Sequence, residues 1–388
     1  MRNNFNLLHK LIAKRKTLLG IGPMSLNVVD SAIEIANKKK VPLMMIASRR
    51  QIDSEEFGGG YVNNWSTKSF ADYVKKKDKK NYIILSRDHG GPWQNNKEID
   101  LNLSLDKAMN SAIRSYHDDI KNDFGIIHID TSIDIHKKLS FKNSIIRIFD
   151  IYKELCKFSK KNKKKIIFEI GTEEQNGSTN TFEELTNTLN EMRIFCEKNK
   201  LPKVTFVVIQ SGTKVMETKN VGSFESPVRV EKEIPVEIQL LKMIEICNEN
   251  NVYMKEHNAD YLTNDSLSWH PKLGIHAANV APEFGVVETK TFLKILQKYK
   301  MKELHEEFIK ISFESKKWKK WMIKNSQTTI FDKAIISGHY VFSSNQFKDL
   351  KFEANKFLQK KKVNLDNELK KQIKISILRY LKNFRLIN

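Results

Sequence analysis

The chain has 388 residues, 40% of them hydrophobic, enough to bury a full core in one large domain or two ordinary ones, which excludes a disordered tail. Its 67 Lys and Arg against 46 Asp and Glu leave a formal charge of +21. The basic residues are mostly Lys, in runs such as Lys75-Lys76-Lys77 and the stretch from Lys160 to Lys165, with no stripe of aromatics and Arg between them; they read as solvated surface and argue against a nucleic-acid partner.

A short helical pattern, Phe5-Asn6-Leu7-Leu8-His9-Lys10-Leu11-Ile12, opens the chain, and no apolar run reaches the length of a signal core or a membrane span, so the expected location is cytoplasmic, with no membrane contact. From residue 17 to about 298 one unit recurs: a short β-branched apolar run, a polar loop, then an amphipathic stretch of helical period. The predicted strands are Leu18 to Ile21, Leu43 to Ala47, Tyr82 to Leu85, Ile126 to Ile129, Ile166 to Ile170, Val204 to Ile209, Val252 to Lys255 and Leu273 to Ala277. Between them fall helices with apolar residues at i, i+3, i+4 and i+7, such as Val28-Val29-Ala32-Ile33-Ile35-Ala36 and Ile145-Ile148-Phe149-Tyr152-Leu155. Cys156, Cys196 and Cys247 lie far apart on the apolar faces of such helices; they read as buried thiols in a reducing compartment and argue against a disulfide framework. Eight such units suit an α/β (β/α)8 barrel better than an open doubly wound sheet. The predicted barrel, with its short N-terminal helix, occupies residues 1–299. Residues 300–388 form a helical C-terminal extension, including Lys316-Lys317-Trp318-Lys319-Lys320-Trp321, whose aromatics, with Tyr340 and Phe342, are expected to pack it on the barrel or on a partner.

Barrel chemistry sits at the C-terminal ends of the strands, so the side chains that follow each apolar run carry the functional reading. Those residues are Ser48-Arg49-Arg50 and Gly58-Gly59-Gly60, then Arg87-Asp88-His89-Gly90-Gly91-Pro92, then Asp130-Thr131-Ser132. Glu169-Ile170-Gly171-Thr172-Glu173-Glu174, Gln210-Ser211-Gly212, Glu256-His257-Asn258-Ala259-Asp260 and His276-Ala277-Ala278-Asn279 follow. One acid at a strand end is a common helix cap, but polar groups at seven ends together are not explained by capping.

His89, His257, Glu169 and Gln210 supply nitrogen and oxygen donors suited to a divalent metal, zinc first and manganese second. Asp88 beside His89 is the candidate general base; the competing reading pairs it with Arg87 or Arg50. Glu173 is a second candidate catalytic carboxylate. Ser211, Gly212 and Asn279 lie where barrels cradle phosphate, with Arg49 and Arg50 across the mouth, although turn chemistry explains a Ser-Gly pair equally well. Asp130, Asn258 and His276 complete the expected substrate contacts.

Gly58-Gly59-Gly60-Tyr61, Arg87 through Pro92, His128-Ile129-Asp130-Thr131-Ser132, Glu169 through Glu173 and Glu256 through Tyr261 resemble, in order and spacing, the Z-subunit family of tagatose-bisphosphate aldolase, over residues 15 to 300. The family is similar to zinc-dependent class II aldolases. The resemblance implies that Asp88 is the catalytic base and that His89 and His257 are metal ligands. Where catalytic aldolases carry a strand-six His, this chain has Gln210, a poorer ligand. Further departures at Asp88 through Trp93, Glu173 through Gly177 and His276 through Glu283 point to a separate branch with its own substrate. The implied function is a metal-dependent epimerase acting at carbon 4 of a ketose phosphate or related sugar. The alternatives are a class II aldolase and a non-catalytic subunit that stabilises a partner aldolase; a homo-oligomer is a further expected association.

Overall fold

A computed structural model describes residues 4–171, 181–224 and 235–388. Eight strands form its centre: β1 (Leu18–Ile21), β2 (Leu43–Ser48), β3 (Ile83–Gly90), β4 (Ile126–Asp130), β5 (Ile167–Gly171), β6 (Phe206–Ile209), β7 (Tyr253–Glu256) and β8 (Ala277–Val280). All pair in parallel, and β8 pairs with β1 to close the barrel. A helix follows each strand, from Leu26–Lys39 after β1 to Pro282–Lys298 after β8. The expected (β/α)8 barrel with a helical C-terminal region is the observed fold.

The strands read as near-continuous apolar runs because both faces are buried. Leu18, Met44, Ile84, Ile126, Ile167, Phe206 and Ala277 point inward and form an apolar floor, which Leu8 of the helix Asn4–Ala13 closes from below. The alternate residues, such as Leu19, Met45, Ile127, Phe168, Val207 and Ala278, face the helices and belong to the main core. Each helix is stopped and started by local chemistry. Ser25 caps Leu26–Lys39 by accepting from the Val28 N–H, and Lys40 ends it in the left-handed conformation.

The eighth strand corrects the sequence reading. It begins at Ala277, because Leu273 closes the helix Asn264–Leu273 and Gly274, at φ +97°, caps that helix. Ile275 is buried without belonging to a strand.

Beyond Lys298 lie the helices Lys302–Glu314, Ile330–Val341, Asn345–Lys360 and Leu365–Asn383. The first three build a second apolar cluster against Pro282–Lys298, joined by Leu365 and Leu369 of the last. The last behaves differently. It packs against both Leu26–Lys39 and Pro282–Lys298, between the first and last helices of the barrel ring, and its Ile373, Ile377, Tyr380 and Leu381 join the main core. Among the described residues no helix is long and apolar enough to cross a membrane. The three cysteines are buried and free.

Candidate active site

The inward register that makes the apolar floor turns polar two residues further along four of the strands. Ile126 is followed on the same side by His128 and Asp130, Ile167 by Glu169, Tyr253 by Lys255 and His257, and Ala277 by Asn279. All of these later positions are buried. Two glycines at inward positions make room. A Cβ on Gly171 would stand 2.7 Å from His128 Nε2, and one on Gly20 would stand 2.2 Å from Asn279 Oδ1.

Strand β3 solves a problem of alternation. Neighbouring strand residues point to opposite faces, as Arg87 and Asp88 do. The Arg87 guanidinium faces outward, where Nε and Nη2 donate to Asp119 at 2.8 and 2.6 Å, while Asp88 points in. The pairing with β4 then shifts between Arg87 and Gly90, and His89 takes φ +43°. This bulge lets His89 face the same centre as Asp88.

Asp88, His128, Glu169 and His257 hold donor atoms within 4.8 Å of one another, and His89, His128 and His257 form an overlapping group. His257 Nε2 lies 3.2 Å from Glu169 Oε1 and 3.6 Å from Asp88 Oδ1. Asn279 Nδ2 donates to Asp88 Oδ1 at 3.0 Å. Below them Lys255 Nζ donates to Glu169 Oε2 at 2.7 Å, a fully buried ion pair inside the barrel.

The histidines differ in charge. Burial holds His128 and His257 down at about 3, against the pull of Glu169 on the first and Asp88 on the second, so both rings are neutral. At His89 burial also opposes the charge, but Asp88 and Asp130 outweigh it and raise the ring to about 9. Its Nδ1 meets Asp130 Oδ2 at 2.6 Å. Asp130 itself, despite burial, is held below the usual carboxylate range by that bond. The His128 Nε2 is buried with no hydrogen-bond partner among the described residues. Neutral imidazoles and carboxylates in so small a volume fit a divalent metal.

The other residues singled out in the sequence are placed as follows. Gln210 is buried at the end of β6 on the inward register. Arg50 is half-buried at the end of β2. Arg49 is fully buried in ion pairs with Asp53 at 3.0 Å and Glu98 at 2.7 Å, a structural setting that removes it from the mouth. Asp130 accepts from Gln94 and from the Ser132 N–H as well as meeting His89, so it positions that ring. Ser211 contacts Thr213, whose hydroxyl donates to the His257 carbonyl at 2.7 Å, and Gly212 turns at φ +81°. This loop therefore buttresses β7, continued by a hairpin of Val215–Met216 with Lys219–Asn220, from which Asn220 Nδ2 reaches the Asn258 carbonyl. His276 precedes β8 and lies at the floor, where its Nδ1 accepts from the Met254 N–H; the shifted strand takes it away from the mouth. Glu173 lies outside the described residues, as do Glu174 and Gln175.

Sequence reasoning gave no role to His128 and Lys255. Both sit inside strands, whereas attention fell on residues after each apolar run. The signal was present: a polar residue at an inward position, two after a floor residue and two before another polar one.

Fold and site together define a parallel (β/α)8 barrel with a histidine and carboxylate centre, able to hold a divalent metal, at its C-terminal face. The chain belongs to the family described as D-tagatose-1,6-bisphosphate aldolase subunit GatZ/KbaZ-like, which matches residues 8–282. No curated protein matches the chain by sequence. In three dimensions it is similar to a probable tagatose 6 phosphate kinase from Sinorhizobium meliloti 1021, at TM-score 0.75 and 16% identity over 95% of this chain and 100% of that one. It is also similar to fructose-bisphosphate aldolase from Campylobacter jejuni (TM-score 0.56, 11% identity, 99% and 94% covered). A third likeness is to fructuronate-tagaturonate epimerase from Cohnella laeviribosi (TM-score 0.55, 9% identity, 95% and 81% covered).

Proposed function

We propose that the protein is a metal-dependent sugar-phosphate enzyme and that its reaction is 4-epimerisation of a ketose phosphate or related sugar, by retro-aldol cleavage of the C3–C4 bond and re-addition to the other face of the aldehyde; proton removal next to the carbonyl would act at C3 instead. The observation that carries this reading is the convergence of Asp88, His128, Glu169 and His257. Buried carboxylates and imidazoles lower stability unless partnered, and among the described residues the cations within ion-pair distance of these carboxylates are Lys255, on Glu169, and the His89 ring, beside Asp88 and Asp130.

A divalent ion, zinc before manganese, held by His89, His128, His257 and Glu169 beside Gln210, would polarise the sugar carbonyl. Asp88 acts as the base: Asn279 fixes Oδ1, leaving Oδ2 to take a proton from the sugar and return it. Asp130 keeps His89 aimed at the centre.

A second reading has support of its own, because the family description names an aldolase subunit and Gln210 replaces the strand-six His of catalytic relatives. In it the chain stabilises a separate aldolase chain. NMR of metal-loaded protein with a panel of ketose phosphates separates these readings. Epimer formation supports the first, and triose products make the protein an aldolase. Inertness, combined with stabilisation of an added class II aldolase, supports the second.

A further inference from the structure

The C-terminal extension reaches the barrel mouth from two opposite sides. At the loop after β2, the Asn63 N–H donates to Ser343 Oγ at 2.7 Å, and the Tyr61 and Tyr340 rings lie 4.9 Å apart. At the hairpin after β6, the Glu217 N–H donates to the Trp321 carbonyl at 2.7 Å, and Thr328 Oγ1 donates to Glu217 Oε1 at 3.0 Å. In the closed strand order β2 and β6 stand four places apart, across the barrel from each other. The segment between Trp321 and Ser343 therefore borders the mouth as well as packing beside it.

Lys320 is the charged group this segment brings. Its Nζ lies 4.6 Å from the centre of the Trp321 ring and 5.4 Å from that of Tyr340, and Trp321 Nε1 donates to Tyr340 OH at 3.1 Å. Lys320 is open to solvent, yet the surrounding protein and the Arg50 charge draw its pKa down to about 8. Among the described carboxylates none lies within ion-pair distance of Lys320. Arg50 is near enough for its charge to bear on His89, Tyr340 and Lys320 alike, so it links the histidine centre to the extension. The Tyr261 hydroxyl is buried with no described hydrogen-bond partner, and Tyr340 is close enough to disfavour its ionisation. Two cations close enough to repel one another, with the aromatic rings of Trp321 and Tyr340 beside Lys320, form a setting that an oxyanion completes.

We infer that the extension forms one wall of the sugar site and that Lys320, with Arg50, binds the charged end of the substrate, a phosphate or a carboxylate. The inference rests on reading the mouth as a sugar site, but its test does not require turnover. Calorimetric titration of the full chain with inorganic phosphate, D-fructose 6-phosphate, D-fructose and D-glucuronate gives the result directly. Lys320→Met keeps the stem on Trp321 and Tyr340 while deleting the charge, and Lys320→Arg keeps the charge. Loss of one charge-assisted contact weakens the anionic ligand by about tenfold to a hundredfold in Lys320→Met, with Lys320→Arg close to wild type and D-fructose unaffected. Weakening of the two phosphates identifies the anion as phosphate; weakening of glucuronate alone identifies it as carboxylate. Equal affinities in wild type and Lys320→Met for every anion, or no anion binding by the wild type, overturn the inference. A protein that binds anions through Lys320 but turns nothing over separates failure of the enzymatic reading from failure of this one.

Discussion

The two ends of the barrel are built from the same eight strands and the same alternation, yet they do opposite things. At the floor, Ile126, Ile167 and Phe206 meet Leu8 in a dry apolar cluster. Two residues along, the same inward face carries His128 and Glu169, and Gln210 two residues later still on β6, with Lys255 inserted as a counter-charge to Glu169. Apolar burial at one end stabilises the fold, whereas polar burial at the other costs stability and is useful only if it binds or reacts. Function is thus separated from stability along the barrel axis, by a distance of two strand residues.

Four substitutions break or sharpen that contrast. The largest effect is expected at Asp88→Asn, which keeps shape but removes the base: turnover falls about a hundredfold to ten-thousandfold, while melting temperature and metal content stay near wild type. Retained turnover with lowered stability would make Asp88 a structural residue. At the floor the signs reverse. Ile126→Ala loses about 2–5 kcal/mol of unfolding free energy in denaturant titration, and its folded fraction turns over substrate at the wild-type rate. Asp130→Asn is intermediate, because it removes the partner that aims His89; metal affinity, read by competition with a chelator, weakens about tenfold to a hundredfold.

The fourth test, Asp260→Asn, is read through pH rather than turnover. Asp260 accepts from the Ala281 and Glu283 N–H groups, and burial, with Glu283 close by, raises its carboxyl to about 8. An unfolded Asp ionises near pH 4 while the folded one keeps its proton until about pH 8, so wild type loses stability as pH rises through that window. Asn keeps the acceptor and cannot ionise. The melting temperature of the variant relative to wild type should therefore climb from pH 5 to pH 8; a difference that stays flat would remove Asp260 from the pH response.

Seven strands were legible to within about two residues at their starts because buried parallel strands are uninterrupted apolar runs. The eighth was not. Leu273, Ile275 and Ala277 alternate as a strand would, but Gly274 is a helix cap, and the slip moved His276 from the floor to the mouth on paper. Asp88, His89, Glu169 and His257 were legible because polar residues directly follow or end an apolar run. His128 and Lys255 were not, since how deep an inward residue sits depends on the stagger of the strands, which no single strand reveals. Arg49 looked like Arg50 in sequence; only the positions of Asp53 and Glu98 separate their roles. Lys320 was hidden by composition, one Lys among many in a segment whose contacts with Arg50 and the β6 hairpin lie far away in the chain.

The helix Leu365–Asn383 has a consequence for how the chain reaches its folded state. It occupies the gap between Leu26–Lys39 and Pro282–Lys298, so the outer face of the first barrel helix is covered by the last helix of the chain. During synthesis that early face stays exposed until the end arrives, on the order of tens of seconds later at ordinary elongation rates. Asn27, which meets Asp366, and Glu34, which meets Lys370 and Lys374, lack these partners in the interval. Contacts this distant in sequence also slow the final closure, which makes docking of the C-terminal helix the step at which ring assembly completes and at which a misassembled chain would most readily be trapped.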